Sequence, residues 1–126
     1  MGLADVPVTA CVIAKDVAAV KAFYTDKLGL KEVPGPDDGG VLLEAGSGTK
    51  IFIYQSSADK PQNTVASFTV SDVLAMVNEL KTNGVVFETY DMDPIKTDEN
   101  NIAHMGDLQA AWFKDPEGNI LGLNNQ

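Results

Sequence analysis

The stretch Trp112-Phe113-Lys114-Asp115-Pro116-Glu117-Gly118-Asn119-Ile120-Leu121-Gly122-Leu123 is written as a β-hairpin. Apolar residues lead into Asp-Pro-Glu-Gly-Asn, and apolar residues lead out of it. Asp115 can bond its own downstream backbone, Pro116 presets φ, and Gly118 supplies a left-handed residue that closes the turn. The apolar pattern carries the two strands to residues 108–114 and 119–124.

Upstream lies a second hairpin, residues 41–44 and 50–55 around Ala45-Gly46-Ser47-Gly48-Thr49. Each hairpin ends a longer unit, and the two units are alike. In the first, residues 8–13 are strand-like and Asp16-Val17 opens a helix. Val17, Val20, Phe23 or Tyr24, and Leu28 then recur at helical spacing, Gly29 stops the helix, and residues 30–33 resume as a strand. In the second, residues 64–70 are strand-like and Asp72-Val73 opens a helix with the stripe Val73, Met76, Val77 and Leu80. Asn83-Gly84 ends that helix, and residues 85–90 are the next strand. The offset between copies is 56 at the Asp-Val pair and 70 from Gly48 to Gly118, so the second copy holds about fifteen extra residues within 91–106. That segment is acidic, turn-rich and without apolar periodicity. Residues 35–40 form the shorter loop of the first copy, and residues 56–63, with Pro61, link the copies.

Composition narrows the partners. The chain has 126 residues, 44% of them hydrophobic and 21% charged, with a formal charge of −9. That length suits one domain, or two small modules sharing a core. Nine scattered Lys and Arg residues argue against nucleic acid and anionic membranes, whose recognition needs basic clusters. Cys11 is the sole cysteine, which excludes an internal disulfide and fits a reducing compartment. Met1 to Pro7 lacks a basic, apolar leader, Val6 stands where a myristoylation motif needs Ser or Thr, and no apolar run reaches bilayer length. The expected location is cytoplasmic.

The final hairpin, the words Ala22-Phe23-Tyr24-Thr25-Asp26-Lys27-Leu28-Gly29-Leu30 and the duplicated β-α-β-β-β frame together resemble the vicinal-oxygen-chelate superfamily. This group includes glyoxalase I, extradiol dioxygenases, and fosfomycin- and bleomycin-resistance proteins. The resemblance covers nearly the whole chain. It implies an α+β fold, a single domain of residues 1–126 with modules at about 6–56 and 63–126. Each module would be a curved antiparallel sheet with its helix outside, the sheets enclosing a cleft. It also implies a homodimer.

Strand alternation then sorts the side chains. Ala10, Val12 and Ala14 should face the helix, leaving Thr9, Cys11 and Ile13 toward the cleft. Val65, Ser67 and Thr69 follow in the second copy, with Lys50, Phe52 and Tyr54, and Ile120, Gly122 and Asn124, from the closing strands. Trp112 faces the cleft if Phe113 packs under the helix. Metal-binding members of the superfamily commonly keep a His on the first strand and a Glu on the last; the matching positions here are Thr9, Phe52, Val65 and Gly122. Thr, Phe, Val and Gly are not a ligand set for zinc, nickel, iron or manganese. A shift of one residue meets mostly aliphatic neighbours. Without a Lewis acid, an enediolate has no obvious stabiliser and oxygen no activator. The expectation is therefore no metal and no cofactor.

Other chemistry is sparse. His104, the only histidine, is either a general base or ligand contact, or a solvated capping residue. Cys11 has no cation nearby in sequence to activate it and reads as a small hydrophobe. Asp91, Asp93, Asp98 and Glu99 lack the spacing of a calcium loop. Met92 and Met105 flank the extra segment, which, as a long insertion, could act as a lid or rim. Trp112, Tyr54, Phe52 and Tyr90 offer stiff aromatic area, either as wall or as filling. Cleft candidates are thus Thr9, Cys11, Phe52, Tyr54, Val65, Ser67, Trp112, Gly122 and His104, with no catalytic residue assigned. The leading expectation is a metal-independent small-molecule-binding protein similar to the bleomycin-resistance branch. The alternatives are a lyase, isomerase or dioxygenase with a non-standard site, or an interaction subunit.

Overall fold

A computed structural model describes residues 8–35, 40–58, 63–92 and 95–125. The readings of Met1 to Pro7, Pro36, Pro61 and Asp93 lie outside them. The chain divides into two compact units, residues 1–60 and 61–126.

In the first unit the elements are β1 (Thr9–Ala14), α1 (Val17–Ala22), β2 (Lys31–Val33), β3 (Val41–Glu44) and β4 (Lys50–Gln55). Asp16 caps α1, its Oδ1 accepting from the Ala19 N–H at 3.2 Å, a contact worth about 1 kcal/mol to a helix. The helix the sequence carries to Leu28 is α-helical only to Ala22; Phe23–Lys27 continue as a π-turn, with the Leu28 N–H reaching Phe23 O at 3.3 Å. Gly29, at φ 79°, ends it, as a residue without Cβ can. Val20 on α1 and Tyr24 in the π-turn are buried, as are Val12, Ala14, Leu43, Ile51 and Ile53 from the sheet.

The strand order is β1-β4-β3-β2. The sheet is mixed and not antiparallel as the sequence suggested, because β1 pairs with β4 in parallel. The reason is topological. A helical crossover returns β2 in the direction of β1, and the meander through β3 turns the chain twice, so β4 also runs with β1.

The second unit repeats the plan. β5 (Thr64–Thr69), α2 (Val73–Thr82), β6 (Asp91–Met92), β7 (Ile95–Lys96), β8 (Ala103–Met105), β9 (Leu108–Lys114) and β10 (Ile120–Asn124) follow in order. The sheet order is β5-β10-β9-β8, again with a parallel pair, β5 and β10. Asp72 caps α2 through the Ala75 N–H at 3.0 Å. Val73, Val77 and Leu80 are buried with Phe87, Ala111, Phe113, Leu121 and Leu123. Each large side chain so buried contributes about 1.5–3 kcal/mol.

The Asp-Pro-Glu-Gly-Asn turn is built as its residues require. Asp115 is 4% exposed, and its Oδ1 accepts the Glu117 and Asn119 N–H groups at 2.9 and 3.0 Å. Its Oδ2 accepts from Asn119 Nδ2 at 2.8 Å, and Gly118 sits at φ 90°. Residues 85–90, expected as a strand, join β9 through a bridge between Phe87 and Phe113 and a bond from Glu88 N–H to Trp112 O rather than as a full strand. The outer half of β9 pairs instead with β8.

Candidate functional site

One face of the second sheet packs its helix, and the other carries the polar and aromatic candidates. In the ladder Gly122 pairs with Ser67 on one side and Trp112 on the other, and Asn124 pairs with Thr69 and Ala110. Paired residues share a face and alternate residues repeat it. Ser67, Thr69, Trp112, Gly122 and Asn124 therefore stand together, opposite the buried Leu121, Leu123 and Phe113. Asn124 Nδ2 donates to Ser67 Oγ at 2.6 Å, and Thr69 Oγ1 donates to Asn124 Oδ1 at 3.3 Å. The result is a short polar ladder between two strands. Nothing local predicts the Asn124–Ser67 bond, whose partners are 57 residues apart.

Val65 does not pair. The register shifts at Ile120/Leu121, so Ile120 meets Thr64 while Leu121 meets Ala66, leaving Val65 as the extra residue of a bulge. Thr64 takes the place beside Gly122 that the sequence assigned to Val65: a Cβ on Gly122 would lie 3.6 Å from Thr64 Cγ2.

Beside the polar ladder, the Tyr90 and Trp112 rings meet edge to face, centroids 5.4 Å apart. Tyr90 is held from behind by Thr97, whose N–H donates to Tyr90 O at 2.9 Å and whose Oγ1 accepts the Tyr90 N–H at 3.0 Å. Burial, and then the Glu88 carboxylate, raise the Tyr90 phenol above its ordinary value; the Lys114 ammonium opposes them. Lys114 Nζ and Glu88 Oε1 are 3.5 Å apart.

The residues present do not fit a metal centre of the usual kind. Thr9, Phe52, Val65 and Gly122 supply no imidazole and no carboxylate. Gly122 is moreover covered. A Cβ there would lie 3.1 Å from Ser67 Oγ and 3.5 Å from Trp112 Cδ1, so any side chain at this position needs the hydroxyl bonded by Asn124 to give by a few tenths of an ångström. Among the described residues no group of three His, Cys, Asp or Glu side chains is gathered to hold a metal ion.

The first unit presents a different face. Cys11 pairs with Phe52, Ile13 with Tyr54, and Leu42 with Phe52. Phe52 and Tyr54 stack at 5.9 Å with rings 16° from parallel, and Tyr54 is 39% exposed. Cys11 is exposed, not the buried hydrophobe the sequence suggested. Thr9 pairs with Lys50 at the start of this face.

His104 is corrected. It pairs with Gln109 in β8–β9, and Gln109 shares its face with Ala111 and Phe113. His104 is thus on the opposite side of the sheet from Trp112 and Gly122. Its Nε2 lies 2.9 Å from Asp98 Oδ2. Asp98 Oδ1 accepts the Asn100 and Ile102 N–H groups at 2.8 and 3.0 Å. Desolvation pushes the Asp98 carboxyl upward, but the Ile102, His104 and Asn100 hydrogen bonds outweigh it and hold the group below its ordinary value. The insertion, which the sequence reads as loop, thereby has order of its own. Asp91 pairs with Lys96 and Met92 with Ile95 in a small ribbon, and Asn101, at φ 67°, donates to Glu88 O at 3.3 Å.

The family model for the Glyoxalase/Bleomycin resistance protein/Dioxygenase superfamily matches residues 7–123. No curated protein matches by sequence. Among solved structures, a glyoxalase family protein from Bacillus anthracis is 19% identical, covering 95% of this chain and 92% of its own, with TM-score 0.70. A lactoylglutathione lyase from Agrobacterium tumefaciens is 22% identical, covering 94% and 91%, with TM-score 0.63. A fosfomycin resistance protein from Listeria monocytogenes is 15% identical, covering 94% and 89%, with TM-score 0.64. At these identities the likeness is one of fold.

Proposed function

The chain belongs to the Glyoxalase/Bleomycin resistance protein/Dioxygenase superfamily, and from that premise we propose that it is a metal-independent small-molecule-binding protein. The observation that carries the reading is Gly122. Where a metal-binding member would place a carboxylate, this chain has a backbone covered by Ser67 and Trp112 at 3.1 and 3.5 Å from a notional Cβ. Around it stand hydrogen-bonding groups without formal charge and an aromatic pair, which together suit a flat drug or metabolite better than an ion. The lyase and the fosfomycin resistance protein share the fold but supply no ligand for this chain.

Trp112 is the only tryptophan, so its emission reports occupancy of this face. The test is titration of purified protein with planar drugs and metabolites, before and after chelation, alongside elemental analysis. Saturable quenching that chelation leaves unchanged is expected. Stoichiometric zinc, nickel, iron or manganese with chelator-sensitive turnover would overturn the proposal in favour of an enzyme. The proposal also takes the protein as a cytoplasmic homodimer, on the resemblance and the lone Cys11, to be checked by cell fractionation and light scattering.

A further inference from the structure

The polar ladder has a direction, and the direction selects a ligand. Asn124 Nδ2 donates to Ser67 Oγ, so the hydroxyl proton of Ser67 points elsewhere and is available to give. Thr69 spends its only hydroxyl proton on Asn124 Oδ1 and is left with lone pairs to accept. Both side chains are exposed. Two residues apart on one strand, the donor and the acceptor are separated by about 6.6 Å. The charged groups of this face, Glu88 and Lys114, answer each other at 3.5 Å, and the net charge of −9 repels anions. Trp112 supplies an apolar surface at the same place, its Cδ1 3.5 Å from the Gly122 Cβ position.

Resting on the binding role proposed above, we infer that this face takes an uncharged, planar ligand that presents a carbonyl oxygen to the Ser67 hydroxyl and a hydroxyl or N–H to Thr69. Asn124 is the positioning residue. Its amide sets which hydroxyl gives and which takes, and a carboxylate in its place would draw both protons inward and erase the difference.

Three probes of one shape test this: para-hydroxyacetophenone, para-ethylphenol, which lacks the carbonyl, and para-hydroxybenzoate, which carries a negative charge. Affinity is read on the full chain from the NMR shifts of the Trp112 indole N–H and the Ser67 amide. The ketone should bind roughly three- to tenfold tighter than the ethylphenol, the size of one neutral hydrogen bond, and the benzoate weakest. The preference should vanish in Ser67→Ala and in Asn124→Asp and survive in Ser67→Thr. Equal affinity for ketone and ethylphenol, a preference that persists in both loss variants, or tightest binding of the benzoate would overturn the ligand class while leaving the binding role intact. Silence of all three probes, with planar compounds from the wider panel still quenching Trp112, would also overturn the class alone. Silence of the panel as well would bring down the binding role itself.

Discussion

Replacing Asp115 with Ala should destabilise the second unit by about 3 kcal/mol. The carboxylate accepts from Glu117 N–H, Asn119 N–H and Asn119 Nδ2, at 2.9, 3.0 and 2.8 Å. Bonds to a charged acceptor are worth about 1.5–3 kcal/mol each, but these do not add fully. The Glu117 amide is only partly buried, so water replaces the carboxylate there at little cost. The two Asn119 donors are buried, and stranding each costs about 1–3 kcal/mol. Removing the carboxylate also returns part of what its own burial cost. The sum, about 3 kcal/mol, lowers the melting temperature by roughly 10–15 °C in a chain of this size. Urea denaturation followed by Trp112 emission measures it, because Trp112 lies on the strand that leads into the turn. Asp115→Asn keeps one acceptor oxygen and should cost about half as much. A loss below about 0.5 kcal/mol in Asp115→Ala would refute the argument, since it would mean that Pro116 and Gly118 close the hairpin without the carboxylate.

Gly122→Glu should lose stability, because its Cβ meets Ser67 Oγ at 3.1 Å, and should gain no stoichiometric divalent metal by elemental analysis, since Thr9, Phe52 and Val65 add no ligand. The Asp98 carboxyl is held below its ordinary value, so the folded state binds its proton less readily than the unfolded chain. Its stabilising contribution is full above the unfolded pKa of about 3.9 and fades as pH falls through the lower folded value. Asp98→Asn should flatten that acid limb of stability and speed exchange of the Ile102 amide. The Tyr90 phenol is raised, so its contribution is full below about 10 and is lost as pH climbs through the folded value. Ultraviolet difference titration should place the midpoint above that of free tyrosine, and Glu88→Gln, which removes the carboxylate that helps to raise it, should bring it back toward 10.

What the sequence made legible was local. β3, β4 and β9 begin and end where the alternation and the Gly and Pro turns place them, because a strand's period and a turn's φ demands lie within a few residues of each other. Both helix starts were readable from Asp16 and Asp72, whose side chains reach only three residues ahead. The failures depend on longer or weaker signals. The bulge at Val65 exists only relative to β10, and no property of Thr64-Val65-Ala66 alone marks it. The π-turn at Phe23–Lys27 keeps Tyr24 buried, so the apolar spacing looks helical throughout. β8 is three residues long, and the insertion before it is ordered by side chains of Thr97, Asp98 and Asn101 bonding backbone four to thirteen residues away. Hydropathy has no access to such bonds, which is also why His104 was counted among the cleft candidates rather than with Gln109 on the other face.

The repeat carries the argument about function further than either motif alone. In the two sheets the same ladder positions hold Cys11 against Phe52 and Ser67 against Gly122, Ile13 against Tyr54 and Thr69 against Asn124. Beside them, Leu42 pairs with Phe52 as Trp112 pairs with Gly122. One copy is apolar at almost every such position, and the other exchanges sulfur and alkyl groups for hydroxyls and an amide. Core demands do not explain the difference, because all these positions lie on the face away from the helix, while the helix-facing sets, Ile51 and Ile53 against Leu121 and Leu123, remain alike. None of these compared positions, in either copy, holds an imidazole or a carboxylate. The open faces have diverged in opposite directions from a common backbone. That is the pattern expected where each copy offers a separate kind of contact, one through aromatic and alkyl surface and one through directed hydrogen bonds.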